Sequence, residues 1–260
     1  MIRSEIAAHG FRLTLWEAAA LPSSVSQDES LVVLREGVLR AGVIDGRTPG
    51  EEAPLVLGCD LGIHAAQIVR HALHGRGTID EAIAEANAYL NAEQNSDRAA
   101  FPEATCVVAD LDSEAATIVQ AGDSEAWALE GRAWRRVFPP GAMTGEAAER
   151  DRQWYGEHAG LELADLLRQE RARDYVNDES AWRTAAVGRF AKPKLARADL
   201  RGWKAVLLTT DGARLTPERI DRLEDWLGGL REWELANLHE EGVLAGKPHD
   251  DVTVLRIARV

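Results

Sequence analysis

Short stretches of alternating apolar and polar residues, many of them β-branched, recur along the chain and predict β-strands. Three pairs of stretches are joined by brief turns, which favours antiparallel hairpins over βαβ crossovers, because a crossover needs a dozen or more residues. The predicted strands cover residues 12–16, 31–35, 38–44, 105–110, 116–121, 126–129, 134–138, 205–210 and 252–257.

Helical periodicity falls between these groups of strands. One helix is predicted over residues 61–74, and a second opens at the capping box formed by Thr78 and Glu81. A third is predicted over 157–171, and a fourth begins near Thr216, where Pro217 suits the first turn. Hairpin runs with helices segregated between them indicate one layered α+β domain spanning residues 1–260.

Composition narrows the function classes. The chain has 260 residues and a formal net charge of −13, which gives it no general attraction to nucleic acid or to an anionic membrane. No apolar run approaches the ~20 residues of a membrane helix, and no signal peptide is evident, so we expect a soluble cytoplasmic protein. Two cysteines, Cys59 and Cys106, exclude a disulfide scaffold and a CxxC zinc or redox motif. Both lie in apolar runs, which favours buried free thiols over catalytic ones.

Acidic residues stand at the ends of several predicted strands. Asp45 follows strand 38–44, Asp211 follows strand 205–210, and Asp250 and Asp251 precede strand 252–257. If the last strand runs antiparallel to the other two, these carboxylates reach the same end of one sheet. Asp-Gly and Asp-Asp are also ordinary turn residues, so each pair alone has a purely structural interpretation.

The hairpin that turns at Glu36 and Gly37 adds a further acid. Simple antiparallel pairing about this turn gives partner numbers that sum to 73, which places Asp28 opposite Asp45. Asp123 lies where the second hairpin ends and the third begins. Clustered carboxylates without His or Cys form a hard-oxygen site that suits Mg²⁺ or Mn²⁺, and two such ions ~3.5–4 Å apart can act on a phosphoryl group.

Six short motifs follow one another over residues 26–257: SQDES, VIDG, ATCVVADLD, AGDSEAWAL, LLTTDG and HDDVTVLRI. In sequence and order they resemble the motifs of the metal-dependent Ser/Thr protein phosphatases of type 2C, in a divergent form similar to bacterial members. The resemblance implies a four-layer α-β-β-α sandwich of two packed, mainly antiparallel sheets flanked by helices. It also implies a metal-dependent phosphomonoesterase that acts on phosphoserine or phosphothreonine of a protein, the target of a Ser/Thr kinase.

The resemblance further implies a dinuclear Mn²⁺ or Mg²⁺ centre with a bridging hydroxide. Carried over by motif, Asp45 bridges the two ions, the Gly46 carbonyl ligates one of them, and Asp211 and Asp250 ligate the other. Asp28 then holds metal-bound water.

Several positions depart from the family pattern. Asp123 corresponds to an acid associated with a third, weaker ion, but Leu215 replaces another acid usual near that site, which puts the third ion in doubt. The Arg usual after Gly-Asp-Ser is Glu125, and no Arg lies just upstream of Asp28. Arg47 is therefore a candidate for binding the substrate phosphate.

His249, next to the closing acidic pair, is a candidate general acid or simply a loop residue. The departures leave two alternatives open: a pseudophosphatase that binds without turnover, and a phosphatase of small metabolites on the same fold.

Three other features have weaker functional interpretations. Asp110 and Asp112 form an Asp-x-Asp that resembles the nucleophile strand of haloacid-dehalogenase-type phosphatases. His64, His71 and His74 share a predicted helix, where a packed or solvated helix face is favoured over a zinc pair. The tryptophans in or beside predicted strands are expected in the core; they are Trp127, Trp134 and Trp203. The tryptophans in the helical half are candidates for a binding surface; they are Trp154, Trp182, Trp226 and Trp233.

Overall fold

Two antiparallel sheets form the centre of the fold. The computed structural model describes residues 1–19, 26–46, 60–92, 102–138, 187–188, 195–236 and 251–260, together with residues 157 and 193. In this part of the chain the first sheet has the strand order β1-β2-β11-β10-β7-β8 and the second β3-β4-β5-β6-β9. The strands are β1 (Ile2–Ala8), β2 (Phe11–Ala18), β3 (Glu29–Arg35), β4 (Val38–Gly46), β5 (Ala104–Leu111), β6 (Ala115–Ala121), β7 (Glu125–Glu130), β8 (Ala133–Arg136), β9 (Leu195–Arg201), β10 (Ala205–Thr209) and β11 (Val252–Arg259).

Helices cover the outer face of each sheet, so the fold has an apolar core beneath each helical layer and a third core between the sheets. Helices α1 (Leu61–Leu73) and α2 (Ile79–Ala92) pack on the second sheet, in a core that includes residues of β3 to β6. Helices α3 (Pro217–Asp221) and α4 (Leu223–Ala236) pack on the first sheet. A third core lies between the two sheets. This is the α-β-β-α sandwich that the family resemblance implies.

Alternation along the strands explains how one strand serves two layers. In β10, Val206 and Leu208 contribute to the core between the sheets, whereas Ala205 and Leu207 contribute to the core beneath α3 and α4. Successive side chains of a strand point to opposite faces, and both faces of this strand are covered. All five residues of β10 are accordingly buried.

The helix starts follow local capping chemistry. The Thr78 backbone N–H donates to Glu81 Oε2 at 2.8 Å, and the Glu81 N–H donates to Thr78 Oγ1 at 3.2 Å, which confirms the predicted capping box. The Thr78 hydrogen bonds hold the pKa of the Glu81 carboxyl below its usual range. Thr216 caps α3 with Pro217 in its first turn, as predicted.

The structure corrects the sequence prediction at several elements. Strands β1 and β9 were not predicted, and the single helix expected from Thr216 is interrupted at Arg222, whose backbone leaves the helical region. Residues 158–171 of the predicted third helix lie outside the described residues. The expectation that the acidic strand ends share one sheet is wrong, because β4 belongs to the second sheet whereas β10 and β11 belong to the first.

Candidate metal centre

Asp28 and Asp45 stand at the open end of the β3–β4 hairpin. The observed pairs run from Arg35 opposite Val38 to Glu29 opposite Ile44, and each pair sums to 73 as predicted. One more step in this register sets Asp28 opposite Asp45. Asp28 is 8% exposed, and Asp45, the second-last residue of β4, is partly exposed. Residues 28 and 45 are therefore opposite each other at one end of the sheet.

A threonine connects this end of the second sheet to the first sheet. Thr210 Oγ1 donates to Asp28 Oδ2 at 2.8 Å and accepts from the Thr253 backbone N–H at 3.0 Å. The Thr210 N–H in turn donates to the Thr253 carbonyl at 3.0 Å. Asp211 follows directly and begins a 3-10 turn, Asp211–Ala213, in which it is exposed. The ends of β10 and β11 are thereby held against Asp28.

Gln27 forms hydrogen bonds with three further segments at this end of the two sheets. Its backbone N–H donates to Asp251 Oδ2 at 2.6 Å, and its side-chain amide donates to Asp60 Oδ2 at 3.1 Å. Asp60 caps helix α1 by accepting from the Ile63 N–H at 2.8 Å. The Gln27 carbonyl accepts from the Gly46 N–H at 3.2 Å. The start of α1, the end of β4 and the start of β11 thus converge on one residue.

Gly46 is required by close backbone packing. A Cβ at this position would contact the Gly62 carbonyl oxygen, lie 2.6 Å from the Gly62 carbonyl carbon and lie 2.7 Å from the Gln27 oxygen. These neighbours are backbone atoms that no rotamer change can move aside. The Asp-Gly pair is therefore more than a turn sequence here. Its glycine lets helix α1 approach the end of strand β4 next to Asp45.

The Gly-Asp-Ser segment reaches the same end of the second sheet. Ser124 is fully buried, and its hydroxyl lies 3.0 Å from the Thr105 hydroxyl. Thr105 is the β5 partner of Asp45. Gly122 has a φ of +86°, a conformation that glycine adopts without steric cost. This turn places Asp123 near the end of the strands where Asp45 lies.

Glu125 and Leu215, two of the departures from the family pattern, have structural roles of their own. Glu125 accepts from Trp127 Nε1 at 3.0 Å and forms an ion pair of 2.9 Å with Arg136. Burial raises the pKa of the Glu125 carboxyl and the nearby Asp211 charge adds to this, against the lowering effect of Arg136 and Trp127. Leu215 is buried in the core beneath α3 and α4. An apolar side chain in that core offers no ligand for a third ion.

The predicted site residues are only partly brought together. The structure sets Asp28, Asp45, Asp123 and Asp211 around one end of the sandwich. Asp250, Arg47 and His249 lie outside the described residues. Within the residues that are described, no three His, Cys, Asp or Glu side chains are grouped closely enough to hold a metal ion.

The donors present nevertheless fit a hard divalent cation. Carboxylates and the Gly46 carbonyl are oxygen ligands of the kind that Mg²⁺ and Mn²⁺ prefer. Gln27, Asp60 and Thr210 are not among the predicted site residues, although Gln27 and Thr210 each stand directly beside a predicted site acid.

Asp110 and Asp112 serve the fold. Arg40 is buried and binds Asp110 in a bidentate pair, with Nε at 2.7 Å and Nη2 at 2.8 Å from its two oxygens. Asp112 accepts from the Glu114 and Ala115 backbone N–H groups, both at 2.7 Å, in the turn after β5. A sheet built from antiparallel pairs also lacks the parallel strands of the haloacid-dehalogenase fold, so that interpretation is wrong.

The remaining candidates are packed or exposed side chains. His64 is buried in α1, whereas His71 and His74 are exposed. Cys106 is buried and free, and burial raises the pKa of its thiol to about 12; Cys59 lies outside the described residues. Trp127, Trp134 and Trp203 are in the core as predicted, Trp226 and Trp233 pack edge to face, and Trp154 and Trp182 lie outside the described residues.

Solved structures that share this architecture include bacterial serine/threonine phosphatases. No family model matches the sequence, and no curated protein matches it significantly. The fold is that of the type 2C serine/threonine phosphatases. The chain is similar to the serine/threonine phosphatase Stp1 from Staphylococcus aureus, with 14% identity, a TM-score of 0.61 and coverage of 95% of this chain and 94% of that one.

Two further structures extend the likeness over the whole chain. PppA, described as a key regulatory component of T6SS in Pseudomonas aeruginosa, is 17% identical with a TM-score of 0.62, over 99% of this chain and 100% of that one. RsbX in complex with magnesium is 10% identical with a TM-score of 0.60, over 100% of both chains. In the described portion of the chain, none of the helices combines the length and apolar character needed to span a bilayer.

Proposed function

We propose that this protein is a metal-dependent phosphomonoesterase that hydrolyses phosphoserine or phosphothreonine in a protein substrate. The observation that carries the proposal is the hydrogen bond from Thr210 to Asp28. It brings an acid of the second sheet to the strand end of Asp211 in the first, beside Asp45, on a fold that this chain shares with the phosphatase Stp1.

Residues at this end would hold two Mn²⁺ or Mg²⁺ ions. In this proposal Asp45 and the Gly46 carbonyl contribute ligands from β4, and Asp211 and Asp250 contribute ligands from the ends of β10 and β11. When bound, the ions lower the pKa of water and neutralise charge on the phosphoryl oxygens.

The chain's own contribution is to fix these oxygens before substrate arrives. Thr210 has one hydroxyl proton, and because its oxygen accepts from Thr253 N–H, that proton is directed to Asp28. With Oδ2 fixed in this way, the Asp28 carboxylate would accept a hydrogen bond from a water molecule at the site. Such preorganisation costs nothing at the moment of reaction, which is why fixed polar groups contribute strongly to catalysis.

A net charge of −13 must be reconciled with an anionic substrate. In this proposal the cations offset the carboxylates at the site, and Arg47 and His249, which flank Gly46 and Asp250 in sequence, bind the phosphate and protonate the leaving oxygen. The acidity of the rest of the surface repels free polyanions and leaves a single phosphorylated side chain as the better substrate.

The test is hydrolysis of an aryl phosphate and of a phosphothreonine peptide with added Mn²⁺. Asp45→Asn and Asp211→Asn are expected to lower kcat/KM at least about a hundredfold, since each removes a charge that the transition state uses. The matched control is Asp225→Asn, whose side chain is 77% exposed in a surface ion pair. EDTA should abolish activity and Mn²⁺ should restore it. Equal rates for wild type and all three variants would refute the proposal.

Glu125 and Leu215 favour one alternative function, a pseudophosphatase that binds phosphoprotein without turnover. Both residues replace family groups, and both are committed to other contacts here. Calorimetry with the phosphothreonine peptide, combined with a phosphate-release assay, separates the two. Binding that depends on Asp45 without phosphate release would establish the binding module, whereas Mn²⁺-dependent release establishes the enzyme.

A further inference from the structure

Strand β1 ends the first sheet and presents an open edge. It pairs with β2 on one side, and no strand among the described residues pairs with its other side. Six of its seven residues are exposed. A long exposed edge is a template for pairing with another chain, because its backbone N–H and C=O groups are not used within the sheet.

The strand has one apolar face, which its own molecule leaves uncovered. Ile2 and Ile6 are 68% and 58% exposed. Ile6 is opposite Leu13 of β2, and directly opposite residues share a face of the sheet. Leu13 is buried in the core between the sheets. The isoleucines therefore extend the apolar inner face of the first sheet beyond the part that the second sheet covers.

The other face of β1 carries one positive and one negative charge, Arg3 and Glu5. We propose that a second copy of this chain pairs antiparallel with β1 about a two-fold axis at Ser4. In this register Arg3 of each copy is opposite Glu5 of the other, and Ile2 of each copy is opposite Ile6 of the other. Two opposite-charge pairs and two apolar pairs form at once, and the two six-stranded sheets become one of twelve strands.

Neighbouring registers are all worse for this sequence. A shift of one residue places the charged residues of one copy on the apolar face of the other. A shift that brings Arg3 opposite Arg3, or one that brings Glu5 opposite Glu5, sets like charges directly across the axis, which is destabilising. The pattern is therefore self-complementary in one register only.

Contacts within the chain do not compete strongly with this pairing. Arg3 lies 3.2 Å from Glu5 and 3.3 Å from Glu224, and Arg12 lies 3.7 Å from Glu5. All these side chains are about half exposed or more, and such surface pairs contribute little. Because one seven-residue strand provides a small interface, we expect a concentration-dependent dimer of roughly micromolar affinity.

Sedimentation velocity over a concentration series tests the dimer. Glu5→Arg should weaken the dimer at least about tenfold, because both cross-axis pairs become repulsive. Glu114→Arg, the same charge change at an exposed turn away from β1, should leave it unchanged. The double variant Arg3→Glu with Glu5→Arg should restore the wild-type affinity. A monomeric wild type at every concentration, or a double variant as weak as Glu5→Arg, would overturn the proposal.

Disulfide trapping tests the register separately. In a Cys59→Ser background, Ser4→Cys should give a linked dimer on oxidation, because the two cysteines face each other across the axis. Ala7→Cys, three residues from the axis, should remain unlinked. Cys106 does not interfere, since it is buried. Equal linking of the two variants would contradict the register, and circular dichroism confirms that each variant is folded.

Discussion

Removing the Thr210 hydroxyl tests how the two sheets are joined at the candidate site. Thr210→Val keeps the shape of the side chain and deletes both of its hydrogen bonds, the one donated to Asp28 and the one accepted from Thr253. Thr210 is 0% and Thr253 is 1% exposed, so water cannot replace the lost partner of the Thr253 N–H. Thr210→Ser keeps the hydroxyl and is the matched control.

The expected cost follows from these two bonds. A buried N–H left without its partner costs about 1–3 kcal/mol, and the bond to a carboxylate is worth about 1.5–3 kcal/mol. Because Asp28 has further interactions, we take the lower part of each range and expect about 2.5–4 kcal/mol less free energy of unfolding for Thr210→Val. Thr210→Ser should lose about 1 kcal/mol or less, from one methyl group.

Urea unfolding followed by circular dichroism measures the change, since the midpoint shifts at constant slope when only stability changes. The Mn²⁺ dependence of phosphatase activity, measured on the same samples, should weaken for Thr210→Val and stay close to wild type for Thr210→Ser. A Thr210→Val midpoint that matches the Thr210→Ser midpoint would refute the reasoning, because it would mean that the hydroxyl contributes nothing to joining the sheets.

Three other predictions concern packing, the ion pair of a buried arginine and a helix cap. Gly46→Ala should lower the free energy of unfolding by about 1–3 kcal/mol, because the added Cβ meets backbone atoms on two sides. Gly228→Ala in α4, where nothing lies within 4 Å of the added Cβ, should leave the free energy of unfolding unchanged or raise it by up to about 1 kcal/mol. Equal urea midpoints for the two variants would contradict this prediction. Asp110→Asn should lose about 3 kcal/mol because it leaves the buried Arg40 guanidinium without its bidentate partner, and a loss below about 1 kcal/mol would contradict this. Because the pKa of Glu81 is lowered in the folded state, the ionised carboxyl stabilises the fold above its ordinary pKa of 4.5, and this stabilisation is lost as pH falls through the folded-state pKa. Glu81→Gln should therefore lower the free energy of unfolding at neutral pH and leave it unchanged in acid. An effect of the substitution that is independent of pH would contradict this prediction.

Local signals explain the parts of the fold that the sequence predicts well. The β3–β4 register follows from Glu36 and Gly37, both at positive φ, which is the turn that a two-residue hairpin prefers. Once the turn is fixed, the position of Asp28 relative to Asp45 is fixed as well. Capping of α2 and α3 depends on residues within three positions of each other, so it too is readable from the chain.

Other parts depend on distant residues and could not be predicted in the same way. Strand β9 alternates small apolar and charged residues, but its apolar positions include alanines, which carry little β signal. Strand β1 is almost wholly exposed and so lacks a buried face to reveal it. The split between α3 and α4 leaves the apolar spacing across Arg222 intact.

The distribution of acids between two sheets is also a non-local property. Sequence order places Asp45 and Asp211 at strand ends, yet nothing in either segment says that their strands belong to different sheets. That information lies in the pairing of β10 with β7 and of β4 with β5, each partner lying far along the chain. The contact between Thr210 and Asp28, 182 positions apart, is of the same kind.

Strand β4 and helix α1 are fastened to each other at both of their ends. At one end Gly46 packs against Gly62, and at the other Arg40 donates to the Leu73 carbonyl and to the Gly77 carbonyl just beyond the helix. These contacts hold the strand and the helix in one relative position, because sliding one along the other would break the contacts at both ends. Because the position of Asp45 is fixed by both elements, a substitution that loosens either end of α1 is expected to disturb Asp45 as well.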